Sequence, residues 1–157
     1  MPKTGELYEH DFFLWTQEQA AALRRAKASN LPLDWENLAE EIESLGKSDR
    51  RELTSQITRI LRHLLKLAVS PAAEPRAGWR ASINEARSQI DLLLEDSPSL
   101  RRDVDGLVQK QMRAAAKLAA ADLEQHREPA EAIRAQLERG GFTAEQVLGD
   151  WFPATQA

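Results

Sequence analysis

The stretch LTSQITRILRHLLKLA, residues 53–68, decides the fold. Its apolar positions are Leu53, Ile57, Ile60, Leu61, Leu64, Leu65 and Ala68. They recur at spacings of three and four, which gathers them on one side of a helix. A half-buried strand would place them at every second position, and no stretch of the chain sustains that alternation. The segment therefore reads as an amphipathic helix with one face in a core.

Upstream, Trp35, Leu38, Ala39, Ile42 and Leu45 continue a helical stripe. Asp34 is placed to cap its start, because a carboxylate can accept a bond from an unpaired amide of the first turn. Leu33 and Leu38 have the spacing of a hydrophobic staple. Gly46 admits two readings: it ends this helix, or the helix runs through it at a cost of about 1 kcal/mol relative to alanine. An earlier helix is expected from about Asp11, its cap, to Lys27, with Phe12, Trp15, Gln19, Ala22, Leu23 and Ala26 at helical spacing. Ser29, Asn30 and Pro32 break it.

Downstream, Ser70, Pro71 and Pro75 form a loop, and Trp79, Ile83, Ala86, Ile90, Leu93 and Leu94 mark the next helix. Ser97-Pro98 reads as a cap followed by proline at the first helical position. The long helix it opens carries Leu100, Val104, Leu107, Val108, Met112, Ala115, Leu118 and Ala119. Pro129 opens a shorter helix through Ile133 and Leu137, ended by Gly140-Gly141. Thr143 and Gln146 have capping-box spacing, with Phe142 and Val147 as a staple. The expected fold is all-α: an antiparallel helical bundle of four to six helices in a single domain, 1–157. Residues 1–7 read as a flexible lead and 128–157 as a smaller C-terminal helical extension.

Composition agrees. A chain of 157 residues, 42% hydrophobic and 29% charged, is one globular domain with a core. It has no cysteine, which removes disulfides, thiolate metal sites and a cysteine nucleophile. The start MPKTGELYEHDFF lacks the apolar core of a signal peptide, and no apolar run approaches the roughly 18 residues of a membrane span. A cytoplasmic protein with no membrane partner is expected. The net charge of −4 disfavours nucleic acid as a partner.

Three groups of residues are candidates for chemistry. Asp34, Glu36, Glu40, Glu41 and Glu43 form an acidic segment with no interspersed cation. Carboxylates from facing helices can hold a divalent metal, but the Glu-x-x-His pair of the di-iron bundles is missing, and a solvated acidic face is the weightier reading. His63 projects between the apolar stripe and a ridge of Arg59 and Lys66. Those cations favour the neutral imidazole, fit for a general base or a ligand. Alternatively the ring bonds structurally to another helix, near Glu40 or Glu41. Trp79 reads as core, and Arg80 as a partner for an acid on the second helix. No serine sits in a G-x-S-x-G setting, and no Walker loop, G-x-G-x-x-G or H-E-x-x-H is present.

The segments YEHDFFLW, LDWENLAEEIESLGKSDRREL, HLLKL, GWRASINEARSQI and EDSPSL occur in this order between Tyr8 and Leu100. Together they resemble a bacterial family catalogued as domain of unknown function twenty-nine. The resemblance implies an all-helical fold and carries no established activity. The family's recurring polar residues match Asp11, Glu40, Glu41, His63, Trp79 and Arg80. Its tryptophan after HLLK is replaced here by Leu67.

Three functions follow in order of preference. The first is a non-enzymatic helical protein-interaction module, binding a protein partner or a second copy through the apolar tail at Trp151 and Phe152 or through a spare helix face. The second is a metal-dependent or acid/base site built from Asp11, Glu40, Glu41 and His63. The third is a nucleic-acid-linked regulator using the Arg59, Arg62, Lys66 ridge. No cofactor is expected.

Overall fold

The computed structural model describes residues 3–26 and 30–154, and these are helical with no strand among them. The α-helices are α1 (Thr4–His10), α2 (Phe12–Ala26), α3 (Trp35–Val69), α4 (Arg76–Asp96), α5 (Val104–Gln125), α6 (Glu131–Glu138) and α7 (Ala144–Leu148). A 3₁₀ helix over Pro98–Asp103 precedes α5. The chain groups into two compact units. One holds Met1–Leu53 and Leu92–Arg102; the other holds Thr54–Asp91 and Asp103–Ala157.

In the first unit, Gly46 does not end a helix. The two stripes read from the sequence belong to one helix of 35 residues. The reason is a close approach: a β-carbon at position 46 would fall on Thr16 Oγ1 and press on Phe13. Gly46 is thus the point where α2 meets α3, beside Ala39 and Ala20, both fully buried. At the other end of this contact, Arg24 bonds Glu43 at 2.5 Å and reaches Glu36 at 3.6 Å. The late part of α2 therefore meets the early part of α3, and the two run antiparallel.

The start of α2 is fixed by a reciprocal cap. Asp11 Oδ1 accepts from its own third helical amide, Leu14 N–H, at 2.9 Å. The same carboxylate accepts from Ser99 N–H (2.7 Å) and Ser99 Oγ (2.8 Å) at the head of the 3₁₀ helix. Ser97 was expected to cap its own helix. Instead its hydroxyl, fully buried, accepts from Phe13 N–H at 3.0 Å. Asp11 serves Ser99 N–H, the first turns after Pro98 are 3₁₀, and the α-helix begins at Val104. Asp34 caps α3 as read, accepting from Asn37 N–H at 3.2 Å. The staple beside it does not close into a core, since Leu33 is 49% and Leu38 41% exposed. Residues 4–10, expected mostly as a flexible lead, form α1, with Leu7 buried. The expected helix end at Lys27 and break at Ser29, like Met1 and Pro2 of the expected lead, lie outside the described residues.

In the second unit the decisive stripe is the core. Ile57, Ile60, Leu61, Leu64 and Leu65 are wholly enclosed, and so is Leu67, next to them on the same turns. Ile83, Ala86 and Ile90 of α4 and Val108, Ala115 and Ala119 of α5 join them. Arg59 reaches Ser82 and Glu85, while Arg76 Nη1 and Nη2 donate to Ser70 O and Leu67 O at the end of α3. These pairings set α4 antiparallel to α3. Thr58 meets Gln111 and Ser70 meets Glu128, so α5 runs back parallel to α3. Leu118 was placed on the α5 stripe; it is 42% exposed, and Ala116 takes the buried phase. Gly140 and Gly141 turn the chain at φ 104° and 67°, a region that suits residues without a β-carbon. Thr143 and Gln146 form the expected capping box, with Phe142 and Val147 buried beside it.

Substitution of Gly46 by alanine tests the α2–α3 contact. Despite alanine's better helix propensity, overpacking is expected to lower the unfolding free energy by roughly 1–2 kcal/mol. Urea denaturation measures it, and Thr16→Ala in the same chain should return most of the loss. A single Gly46→Ala protein as stable as the native one would remove close approach as the constraint.

Candidate functional site

A cleft of about 1010 Å³ lies in the second unit, walled by the C-terminal part of α3, the 71–75 loop, the start of α4 and the end of α5. Its volume is at the upper end of the range for small-molecule sites. Helical spacing sets Arg62, His63 and Lys66 along one edge of α3, beside the buried stripe. Asp122 comes from α5. Arg62 grips it with two bonds, Nε to Oδ2 at 2.7 Å and Nη2 to Oδ1 at 2.6 Å. Lys66 Nζ adds a third at 2.9 Å and stands 4.9 Å from the Trp79 ring centroid. The Lys66 side chain is only 8% exposed, so this ammonium depends on the carboxylate and the indole in place of water.

These contacts fix the charge states. The Arg62 guanidinium, with Lys66 assisting, holds the Asp122 carboxyl at about 2, well below its usual range. His63 is pushed down to about 4 by burial, then by Lys66, Arg62 and Arg59, with Asp122 opposing. It is therefore neutral at pH 7. Its Nδ1 is enclosed and has no hydrogen-bond partner among the described residues. A carboxylate locked by two cations and an imidazole this weakly basic are poor proton carriers near neutrality.

The four residues proposed from sequence as an acid/base or metal site are not brought together. Glu40 and Glu41 lie on the same helix as His63, 23 and 22 residues before it. Both are exposed. Asp11 is committed to the reciprocal cap. Among the described residues no group of three or more His, Asp or Glu is arranged to hold a metal ion. Arg59, Arg62 and Lys66, the ridge proposed for phosphates, are each paired with an acid.

The interaction candidates are placed as follows. Trp79 is part-buried under Lys66. Arg80 does not pair with an acid of the second helix; its guanidinium stands 5.1 Å from the Phe152 ring. Arg87 covers the same ring at 4.8 Å and donates to the carbonyls of Gln146, Val147 and Trp151. Trp151 packs against Phe142 with centroids 5.7 Å apart and keeps 37% of its surface exposed. The tail is thus fastened to α4.

The first unit also leaves large apolar side chains open. Leu31, Leu33, Leu38 and Leu45 are 60%, 49%, 41% and 52% exposed. On α3, Glu41 sits three residues after Leu38 and four before Leu45, so it borders both.

Sequence reasoning missed Asp122 and Arg87. Both carry a signal: each falls at a core position of its helix, Asp122 beside Ala119 and Leu123, Arg87 between Ile83 and Ile90. A charge on an apolar stripe calls for a partner. His126 and Glu128, which also line the cleft, carry no such signal because they follow the last turn of α5.

Together, fold and site define an all-helical protein with a cleft where Arg62 and Lys66 share Asp122 and with exposed leucines on its first unit. The chain belongs to the family described as domain of unknown function DUF29, which it matches over residues 7–152, well beyond the Tyr8–Leu100 segment that carried the resemblance. It is similar to an alpha-helical protein of unknown function from Rhodospirillum rubrum, known from a crystal structure. The two share 32% sequence identity over 90% of this chain and 88% of that one, with a TM-score of 0.70. No curated protein matches the chain. No helix among the described residues is long and apolar enough to cross a membrane.

The pH dependence of stability follows from His63. Its pKa falls from 6.5 in the unfolded chain to about 4 in the fold, so the unfolded chain binds the proton first as pH drops. The stability the neutral ring contributes is whole above pH 6.5 and is lost on the way to pH 4. Asp122 contributes only below that window, because its carboxyl is depressed from 3.8 to about 2. Between pH 7 and 5 the native chain should lose about 1–2 kcal/mol, allowing for the ring's partial exposure. A His63→Leu chain should lose much less over the same interval. Equal losses in urea titrations of the two proteins would contradict the assignment.

Proposed function

We propose that this chain is a non-enzymatic protein-interaction module that docks a partner on the face formed by Leu31, Leu33, Leu38 and Leu45. The observation that carries this reading is the exposure of four leucines within fifteen residues, each more than 40% open. Large exposed apolar side chains gathered in one segment are characteristic of interaction sites. Two further observations support it. The tail at Trp151 and Phe152 is already held by Arg87 and Arg80, which leaves the helix face as the free contact. His63 and Asp122 of the cleft are held in charge states that do not serve acid–base chemistry near pH 7.

The rim selects the partner. Glu40 and Glu41 are exposed and form no ion pair among the described residues, and Asp34 lies at the head of the same helix. A second copy is disfavoured: a two-fold axis between Leu38 and Leu45 would bring Glu41 against its own equivalent. The surface suits an apolar ridge flanked by lysine or arginine on a different protein.

Leu38→Ser with Leu45→Ser tests the reading. Both positions are exposed, so the urea midpoint should move by no more than about 0.5 kcal/mol in stability. Proteins retained by the immobilised native chain should fall at least tenfold on the double variant, and should be lost from the native chain at high salt. Equal retention by the native chain, the double variant and a Glu41→Lys variant would refute the docking face.

A further inference from the structure

The cleft of the second unit carries an inference independent of the docking face. We infer that it is a binding site for a small organic monoanion, a carboxylate on a planar apolar body, received by Arg62 and Lys66 and packed against Trp79, Pro71 and Pro75.

The first argument is a count of donors. The bonds to Asp122 use two of the five N–H groups of Arg62 and one of the three of Lys66. The remaining donors belong to residues that line the cleft. The second argument is charge. The lining as a whole holds three carboxylates and two cations, but Glu74 and Glu128 pair with neither cation, so where α3 meets α5 two cations share Asp122 alone and one positive charge is in local excess, beside a Lys66 almost wholly withdrawn from water. Neutral His63 does not add to it. A buried excess charge is stabilised by a counter-ion that also accepts hydrogen bonds. One negative charge matches the excess. A second would be unmatched and would share the cleft with the Glu74 and Glu128 carboxylates, neither of which is paired with Arg62 or Lys66.

The third argument is shape. Trp79 is part-buried, and Lys66 stands over its ring. The indole, the two prolines and Leu123 give the cleft an apolar side next to its cationic one. Planar organic acids present the same two sides. The volume of about 1010 Å³ leaves room for a ligand well above the size of benzoate.

An amide-resolved NMR titration of the full chain with benzoate, benzamide and inorganic phosphate tests this inference. Benzoate should give saturable shifts confined to residues 62–66, Trp79 and residues 122–128. Benzamide has the same shape without the charge and should bind at least tenfold more weakly, as should phosphate. Lys66→Met should weaken benzoate at least tenfold and leave benzamide unchanged. If that chain does not fold, Arg62→Gln makes the same comparison at a side chain 37% exposed. Equal affinity for benzamide would show a cleft that binds without reading charge, and would overturn the inference. Tight phosphate binding, shifts elsewhere on the chain, or no saturation by benzoate would overturn it as well. None of these outcomes bears on Leu38 and Leu45.

Discussion

Thr16 Oγ1 fills the space that a β-carbon at position 46 would need, and the absence of that carbon lets α2 close on the helix that runs from Trp35 to Val69. The first unit depends on this close approach: Phe13 and Thr16 sit against α3 at Gly46, and Arg24 reaches Glu36 and Glu43 from the other end of α2. Glu40 and Glu41 stand on the same helix as His63, 23 and 22 residues before it.

Asp122 plays the comparable part among the charges. Arg62 and Lys66 lie beside the apolar stripe of α3 and would be costly to withdraw from water alone. One carboxylate on α5 answers both, and in doing so ties α5 to α3 in a fixed register. Removing it would leave Lys66 with only an indole for company. The same economy appears at Arg87, whose buried guanidinium is received by three backbone carbonyls and an aromatic ring in place of a carboxylate.

The helices were legible because their stripes are strong and local: Leu53 to Ala68 can be read without knowing any neighbour. The caps at Asp34 and Thr143 were legible for the same reason, since donor and acceptor are three residues apart. Contacts spanning distant segments were not. Ser97 reads locally as the cap of its own helix, and only the fold shows that its hydroxyl serves Phe13. Gly46 reads equally well as a stop or a passage until Thr16 is known to sit against it. The cleft was half legible: the Arg59, Arg62, Lys66 ridge and His63 were visible, but their carboxylate partner sits 60 residues beyond Arg62, in a run of alanines. Leu38 and Leu45 were read as core because a periodic stripe announces an apolar face without saying what covers it.

The reciprocal cap between Asp11 and Ser97–Ser99 joins residues 84 to 88 positions apart. On a growing chain, Asp11 can cap Leu14 N–H at once, but Phe13 N–H waits for Ser97, 84 residues on. The first unit, interrupted between Leu53 and Leu92, closes only after the whole intervening segment has left the ribosome. The segment between Thr54 and Asp91 can begin packing α3 against α4 before the first unit closes at Arg102, although the second unit is completed only by 103–157. For an all-helical protein, in which most contacts are local, this places the slow, long-loop step at the very beginning of the chain.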